Sequence, residues 1–260
     1  MKNIKASILI ANYNNQEYID ECLISLSKQN YKNFEIIFHD DSSSDNSILQ
    51  AKKYKNVKII ANKIRNKYGS FNQMDAYERA FNLSKGEVIF LLDSDDFFSY
   101  KKITKIIKIF EKNKDLNIVY DLPIIVNKKS KIKIKNKKKV LQNFWPYIPP
   151  QSCISIRRKE FKKIIKKTNF KKFHDIWMDF RIGIYSIYIE KNFFILENNL
   201  TYYRQTTNSA SSSFKFISSN WWLRRMQAHK YIKFFFKKNK IFYKKNFDYF
   251  LTKLIVLIFV

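Results

Sequence analysis

Apolar residues follow two alternating rhythms along the first half of the chain. Unbroken runs at Ala6–Ala11, Phe34–Phe38, Val57–Ile60 and Val88–Leu92 read as strands, the last buried on both faces. Between them apolar positions return at helical spacing: Ile19, Cys22, Leu23 and Leu26, then Met74, Tyr77, Ala80 and Phe81, then Ile103, Ile106, Ile107 and Phe110. These predict helices from Glu17 onward, over 71–83 and over 101–113, with a shorter one over 46–54. Such alternation predicts an α/β fold: a Rossmann-like, mostly parallel, right-handed sheet flanked by helices.

After Asn117 the rhythm changes. Ile118–Val126 reads as a strand, and Lys128–Lys139 holds eight lysines in twelve residues with Ile132 and Ile134 alternating, which suggests an exposed hairpin. A rigid connector at Trp145–Pro150 precedes a strand at Ser152–Ile156 and a basic helix at Lys159–Lys167. His174-Asp175 opens an amphipathic helix to about Ile187, and short strands follow at Phe193–Leu196 and Leu200–Arg204. The serine-rich stretch Thr206–Ser213 marks a boundary, with a domain over 1–212 and a helical C-terminal extension over 213–260.

The chemistry gathers where the strands end. Asn12-Tyr13-Asn14-Asn15 follows the first strand, Asp40-Asp41 the second, and Asp93-Ser94-Asp95-Asp96 the fourth. In open α/β sheets the crevice beyond the carboxyl ends of the strands is the binding site. Three crowded carboxylates repel one another, a repulsion that a divalent cation relieves, and hard oxygens suit Mg²⁺ or Mn²⁺ rather than zinc. The competing structural reading makes Asp96 the cap of a helix starting near Ser99 or Tyr100. Asp175 and Asp179 stand one turn apart on one helix face, where either could reach the rim; the competing reading is a helix N-terminus favoured by its dipole.

Composition adds a surface argument. Fifty Lys and Arg against 22 Asp and Glu give a formal charge of +28, which favours a polyanion such as nucleic acid or an anionic membrane. Only Cys22 and Cys153 are present, without metal-ligand spacing, so neither a disulfide scaffold nor a structural zinc is expected. No signal peptide and no twenty-residue apolar run are found, so a cytoplasmic protein with peripheral contact at the inner face of the membrane is expected. From Phe214 onward aromatics alternate with Lys and Arg, which suits an interfacial helix or a cover for the domain or a second subunit.

Taken in order, Tyr13-Asn14, Asp40-Asp41-Ser42-Ser43-Ser44-Asp45, Asn66 and Gly69 to Ala80, Gly86-Glu87 before Leu92-Asp93-Ser94-Asp95-Asp96, His174-Asp175 ahead of Arg181, and Leu200–Arg204 resemble a family 2 glycosyltransferase of the GT-A fold. The resemblance spans residues 4 to about 212. It implies a nucleotide-sugar half over 1–117, an acceptor half over 118–212, and inverting sugar transfer from a nucleotide sugar, a UDP-sugar first, to a glycan or lipid-linked hydroxyl in bacterial surface polysaccharide or lipooligosaccharide synthesis. By the same resemblance Ala11, Asn12, Tyr13, Glu17 and Asp41 hold the nucleoside, and Asn66, Gly69 and Ser94 belong to the nucleotide-sugar site. Asp93 approaches the ribose, and Asp95 with Asp93 holds Mn²⁺ or Mg²⁺. Asp175 is the base, with Asp179 the second candidate. The sequence departs from the family pattern at Ala11, where proline is usual, at His39, and at His174, where glutamate is usual. Trp221-Trp222-Leu223-Arg224-Arg225 lacks the Gln-x-x-Arg-Trp pattern of processive members, which favours single addition. No nucleic-acid partner is expected, and self-association would run through the tail. The alternatives are a polyanion-binding module without catalysis and a nucleotidyltransferase, although Asn12–Asn15 has no glycine for a phosphate loop.

Overall fold

The first four apolar runs pair side by side in a computed structural model, which describes residues 4–127, 130–135, 148–168, 171–206 and 214–260. Ala6–Asn12 (β1), Phe34–Asp40 (β2), Val57–Ala61 (β3) and Val88–Asp93 (β4) are all parallel, in the order β3-β2-β1-β4. Beyond β4 the sheet is mixed. Ile154–Arg157 (β8) runs antiparallel between β4 and Ile118–Val126 (β6), and Phe193–Arg204 (β9) runs parallel to β6. Phe97–Phe98 (β5) pairs antiparallel with β9, and Lys131–Lys133 (β7) with β6. The two short strands expected near 193–204 are thus one, β9, whose register against β6 shifts beside Asp121 and Leu122. The lysine-rich hairpin is described only at 130–135; residues 145–147 of the aromatic connector and 207–213 of the serine-rich stretch lie outside the described residues.

Strand alternation builds two cores, one per face. Ile8, Ile10, Phe90 and Leu92 meet Gln16–Ser27 (α1) and Lys102–Lys112 (α4), while Leu9, Ile89 and Leu91 meet Gly69–Leu83 (α3), Arg158–Thr168 (α5) and Met178–Tyr185 (α6). Val88 to Leu92 are fully buried, each side chain contributing about 1.5–3 kcal/mol, so the strand that ends in Asp93 is anchored along its length. Gly86 is required at its entry: a Cβ there would lie 2.5 Å from Ser7 Oγ and 2.6 Å from the Ala6 carbonyl carbon. The short Ser47–Ala51 (α2) follows β2.

Ser219–Lys238 (α7) sets Ala228, Tyr231, Ile232 and Phe235 into the same core as Ile176 and Ile182. Half of the stretch expected as a tail is therefore part of the domain's interior. Phe247–Phe259 (α8) lies outside it, with only Thr252 buried. No helix among the described residues is long and apolar enough to cross a membrane.

Candidate active site

The register of the parallel strands assembles the rim. Ala11 lies opposite both His39 and Asp93, and Asn12 opposite Asp40, so the ends of β1, β2 and β4 share one edge. The chain leaves β1 for β2 and β3 on one side and crosses back from β3 to β4 on the other, and such a switch point opens a crevice. Here it is an open cleft of about 1840 Å³. Its floor is stitched by short polar side chains: Asn12 Nδ2 donates to Asp40 Oδ1 (2.7 Å), Ser94 Oγ donates to Asn12 Oδ1 (2.7 Å), and Asn15 Nδ2 donates to Ser94 Oγ (2.9 Å). The loops after β1 and β2 clip together through Ser44 N donating to Asn14 Oδ1 (2.8 Å) and Asn14 N donating to Ser43 Oγ (2.9 Å). Asn14 and Ser42 take φ of 49° and 59°, left-handed backbone held at both loops.

At one end of the cleft Arg65 Nε donates to Asp41 Oδ2 (2.7 Å), and its guanidinium lies 3.3 Å from the centre of the Tyr13 ring. Asn62 Nδ2 supports the other Asp41 oxygen (3.1 Å). The Arg65 guanidinium already covers one face of Tyr13, so the carboxylate and an outer face of this stack form the slot suited to a flat, hydrogen-bonding ring.

The acids after β4 divide by role. Asp93 Oδ1 accepts from Tyr77 OH (2.8 Å) and Gln73 Nε2 (3.1 Å), and burial, with the neighbouring Asp95 charge, pushes its carboxyl up to about 7. Burial likewise raises Asp95 to about 6, opposed in part by Arg204. Asp96 turns inward, accepting from Ser152 Oγ (2.6 Å) and the Arg204 backbone N (2.7 Å). It does not cap α4, which starts at Lys102; burial beneath the loop, satisfied by these two donors, gives it a different task. Beneath lies a buried ion pair, Lys102 Nζ to Asp121 Oδ1 at 2.7 Å, with Lys102 also donating to the Ser152 carbonyl (2.6 Å). The loop is thus tied through Ser152 to the second half of the sheet.

Asp175 does not open a helix. Residues 173–177 form a turn, closed by Ile176 N donating to the Phe173 carbonyl (3.1 Å) and held by buried Arg181, which donates to the carbonyls of Thr168 (2.7 Å), Phe173 (2.9 Å) and Ile176 (2.9 Å). The start of α3 braces this turn: the Tyr68 ring stacks on His174 at 4.4 Å, Ser70 Oγ donates to the His174 carbonyl, and a Cβ on Gly69 would come within 3.0 Å of the Trp177 ring. From α7, Gln227 Nε2 donates to Asp175 Oδ2 (2.6 Å) and Gln227 Oε1 accepts from Asp175 N (3.2 Å); His174 Nε2 lies 3.5 Å from the same Asp175 oxygen. Asp179, in the first turn of α6, is raised by burial, the Arg224 charge opposing, and its own charge in turn raises Asp93.

Ala11, Asn12, Tyr13, Glu17, Asp41, Gly69, Asp93, Asp95, Asp175 and Asp179 all line the cleft. Ser94 is buried in the floor, and Asn66 braces the entry to α3, its Oδ1 accepting from Tyr68 N (3.0 Å) and its carbonyl from Asn72 Nδ2 (2.8 Å). Sequence reasoning missed Arg65, Trp177, Arg224 and Gln227. Scarcity was the available signal for two of them, since only eight of the fifty basic residues are arginine. Among the described residues no three His, Cys, Asp or Glu side chains converge as a metal cage. Asp93 and Asp95, raised by burial and, at Asp93, by the neighbouring charge, still fit a divalent cation of the kind held by one or two carboxylates and completed by phosphate.

A parallel nucleotide-type half joined to a mixed half, with acids at the switch point, is the GT-A arrangement. The chain belongs to the family described as glycosyl transferase family 2, whose model matches residues 7–191. It is 29% identical over 218 residues to the uncharacterized glycosyltransferase alr2836 of Nostoc sp., covering 77% of this chain and 65% of that protein. It is 39% identical over 108 residues to the UDP-Glc:alpha-D-GlcNAc-diphosphoundecaprenol beta-1,3-glucosyltransferase WfaP of Escherichia coli, 42% of each chain. The chain therefore spans less than two thirds of the length of either relative. Among solved structures, S. aureus TarS 1-349 in complex with UDP-GlcNAc superposes with a TM-score of 0.64 at 16% identity, covering 97% of this chain and 70% of that one, a likeness of fold.

Proposed function

We propose that this protein is an inverting glycosyltransferase that moves a sugar from a UDP-sugar to a hydroxyl of a lipid-linked glycan in bacterial surface polysaccharide or lipooligosaccharide synthesis. The observation that carries the reading is the meeting, in one cleft, of the Asp41–Arg65–Tyr13 slot, the Asp93/Asp95 pair and the braced Asp175. Tyr13 and Arg65 hold the uracil by stacking, and Asp41 accepts its ring N–H. Asp93 orients the ribose, and Asp95 with Asp93 holds Mn²⁺ or Mg²⁺. When bound, that cation neutralises charge on the departing diphosphate. Asp175 takes the proton from the acceptor hydroxyl as it attacks the anomeric carbon. Asp179 stands at the wall with Arg224, the second candidate for that proton.

The substrate in WfaP's name, a sugar on diphosphoundecaprenol, supports the acceptor half of this reading by kinship rather than by geometry. Thermal shift with UDP and Mn²⁺ together tests the donor half, because a ligand that binds only the folded state raises the melting temperature. A rise with both and none with either alone is expected; no rise with any nucleotide rejects the reading. A screen of nucleotide sugars for UDP or GDP release then names the donor.

A further inference from the structure

α8 carries a surface that the cleft does not use. Its first turn is fastened to α7 by polar contacts: Asp248 accepts from Arg225 Nε (3.1 Å) and pairs with His229 Nε2 (2.8 Å), and the His229 and Tyr249 rings meet edge-on at 5.4 Å. The other face presents Phe247, Phe250, Leu251, Leu254, Leu257 and Ile258, the three- and four-residue steps of one helical stripe. Phe247 is 80% exposed and Leu257 72%. A contiguous apolar row of this kind on a soluble surface marks a contact site.

Charge selects what covers it. From residue 214 to 260 there are eleven Lys and Arg and a single acid, Asp248, already bound to Arg225 and His229. Lys244, Lys245 and Lys253 lie beside the stripe in sequence, and Lys237, Lys238 and Lys240 are exposed at the end of α7. A second copy would bring the same cations against each other, in a chain of formal charge +28. An apolar face edged by lysine is instead complementary to an anionic bilayer, with the rings and aliphatic groups below the headgroups and the ammonium groups among the phosphates. The fastening point matters too. Arg225 adjoins Arg224 of the cleft wall, and Gln227, on the same turn of α7, holds Asp175.

We propose that α8 is an interfacial helix that seats the protein on an anionic membrane surface and so holds the acceptor side of the cleft near the headgroups. This goes beyond the donor chemistry and extends the lipid-linked acceptor of the proposed function. The test is co-sedimentation of the full chain with vesicles of phosphatidylcholine alone or with about a third phosphatidylglycerol, beside the double variant Leu254→Asp/Leu257→Asp. Binding to the anionic vesicles, weakened more than about tenfold in the variant and by high salt, is expected. The variant should keep the wild-type melting temperature and its shift with UDP and Mn²⁺. Absence of wild-type binding, or equal binding by the variant, overturns the proposal. So does a wild-type dimer that the variant makes monomeric without any vesicle binding, since a second copy would then cover the stripe. A retained nucleotide shift beside failed vesicle binding sinks this inference alone; a lost nucleotide shift beside intact binding sinks the donor assignment alone.

Discussion

Replacing Gln227 with Ala asks whether Asp175, the proposed base, is held from α7. The side chain bonds Asp175 twice, through Nε2 to Oδ2 at 2.6 Å and from the Asp175 backbone N to Oε1 at 3.2 Å. Alanine removes both, leaving His174 Nε2 at 3.5 Å from the same oxygen, too far for a good hydrogen bond to fix the carboxylate. A hydrogen bond to a charged acceptor contributes about 1.5–3 kcal/mol. If that energy serves to hold Asp175 in line with the attacking hydroxyl, kcat falls roughly 10- to 150-fold. The fold should survive, because α7 remains anchored by the buried Tyr231, Ile232 and Phe235. The assay is release of UDP from the donor found by screening, with acceptor and with water alone, both of which need a base. The expected signature is a lower kcat with an unchanged donor KM and melting temperature. An unchanged kcat, or a loss confined to donor KM, would refute the positioning argument. Gln227→Glu sharpens it, since a second carboxylate against Asp175 should lower kcat further.

Asp95→Ala and Asp175→Asn should each abolish transfer with the fold intact, because the loop's structural bonds run through Asp96; full activity in either variant removes that residue's role. Asp41→Ala and Arg65→Ala should weaken UDP binding by calorimetry about 10- to 100-fold, the loss of one charge-assisted contact each, and unaltered affinity would empty the proposed base slot. Asp93, held near 7 against an ordinary 3.8, and Asp95, near 6, take up protons more readily folded than unfolded, so metal-free stability should fall as pH rises from about 4 to about 7. Asp93→Asn should flatten that slope in a melting series, and stability rising through this window would contradict the sign. Lys102→Met should cost about 3–5 kcal/mol by stranding buried Asp121, while Lys102→Met/Asp121→Leu recovers much of it; a single variant within about 1 kcal/mol of wild type would show that the pair is not what ties the loop.

What the sequence disclosed depended on how local its cause was. β4 ends at Asp93 as its apolar run implies, and the rim follows because parallel register brings Ala11, His39 and Asp93 level. The turn at Asp175 was hidden, since the bonds that hold it, from Arg181 to the carbonyls of Thr168, Phe173 and Ile176, leave no mark on the apolar periodicity that read as helix. Asp96 looked like a cap because nothing local reveals that Ser152 and the Arg204 backbone, far along the chain, would meet it.

α7 and α8 show most plainly where pattern stops. Ala228, Tyr231, Ile232 and Phe235 step along one helical face, as Phe247, Phe250, Leu251 and Leu254 do, and both stretches are mixed with lysine. One stripe is buried against α6 and the other is exposed. Periodicity establishes that a face needs a cover; what covers it depends on partners distant in the chain or outside it. For α7 the partner is the segment 173–182, through Phe173 against Tyr231 at 5.5 Å, and its docking carries Gln227 to Asp175. A helix read as an appendage is in this way required to complete the cleft, so truncation at residue 213 would remove the brace on Asp175, the proposed base, along with any membrane contact, and only changes confined to α8 can separate the two.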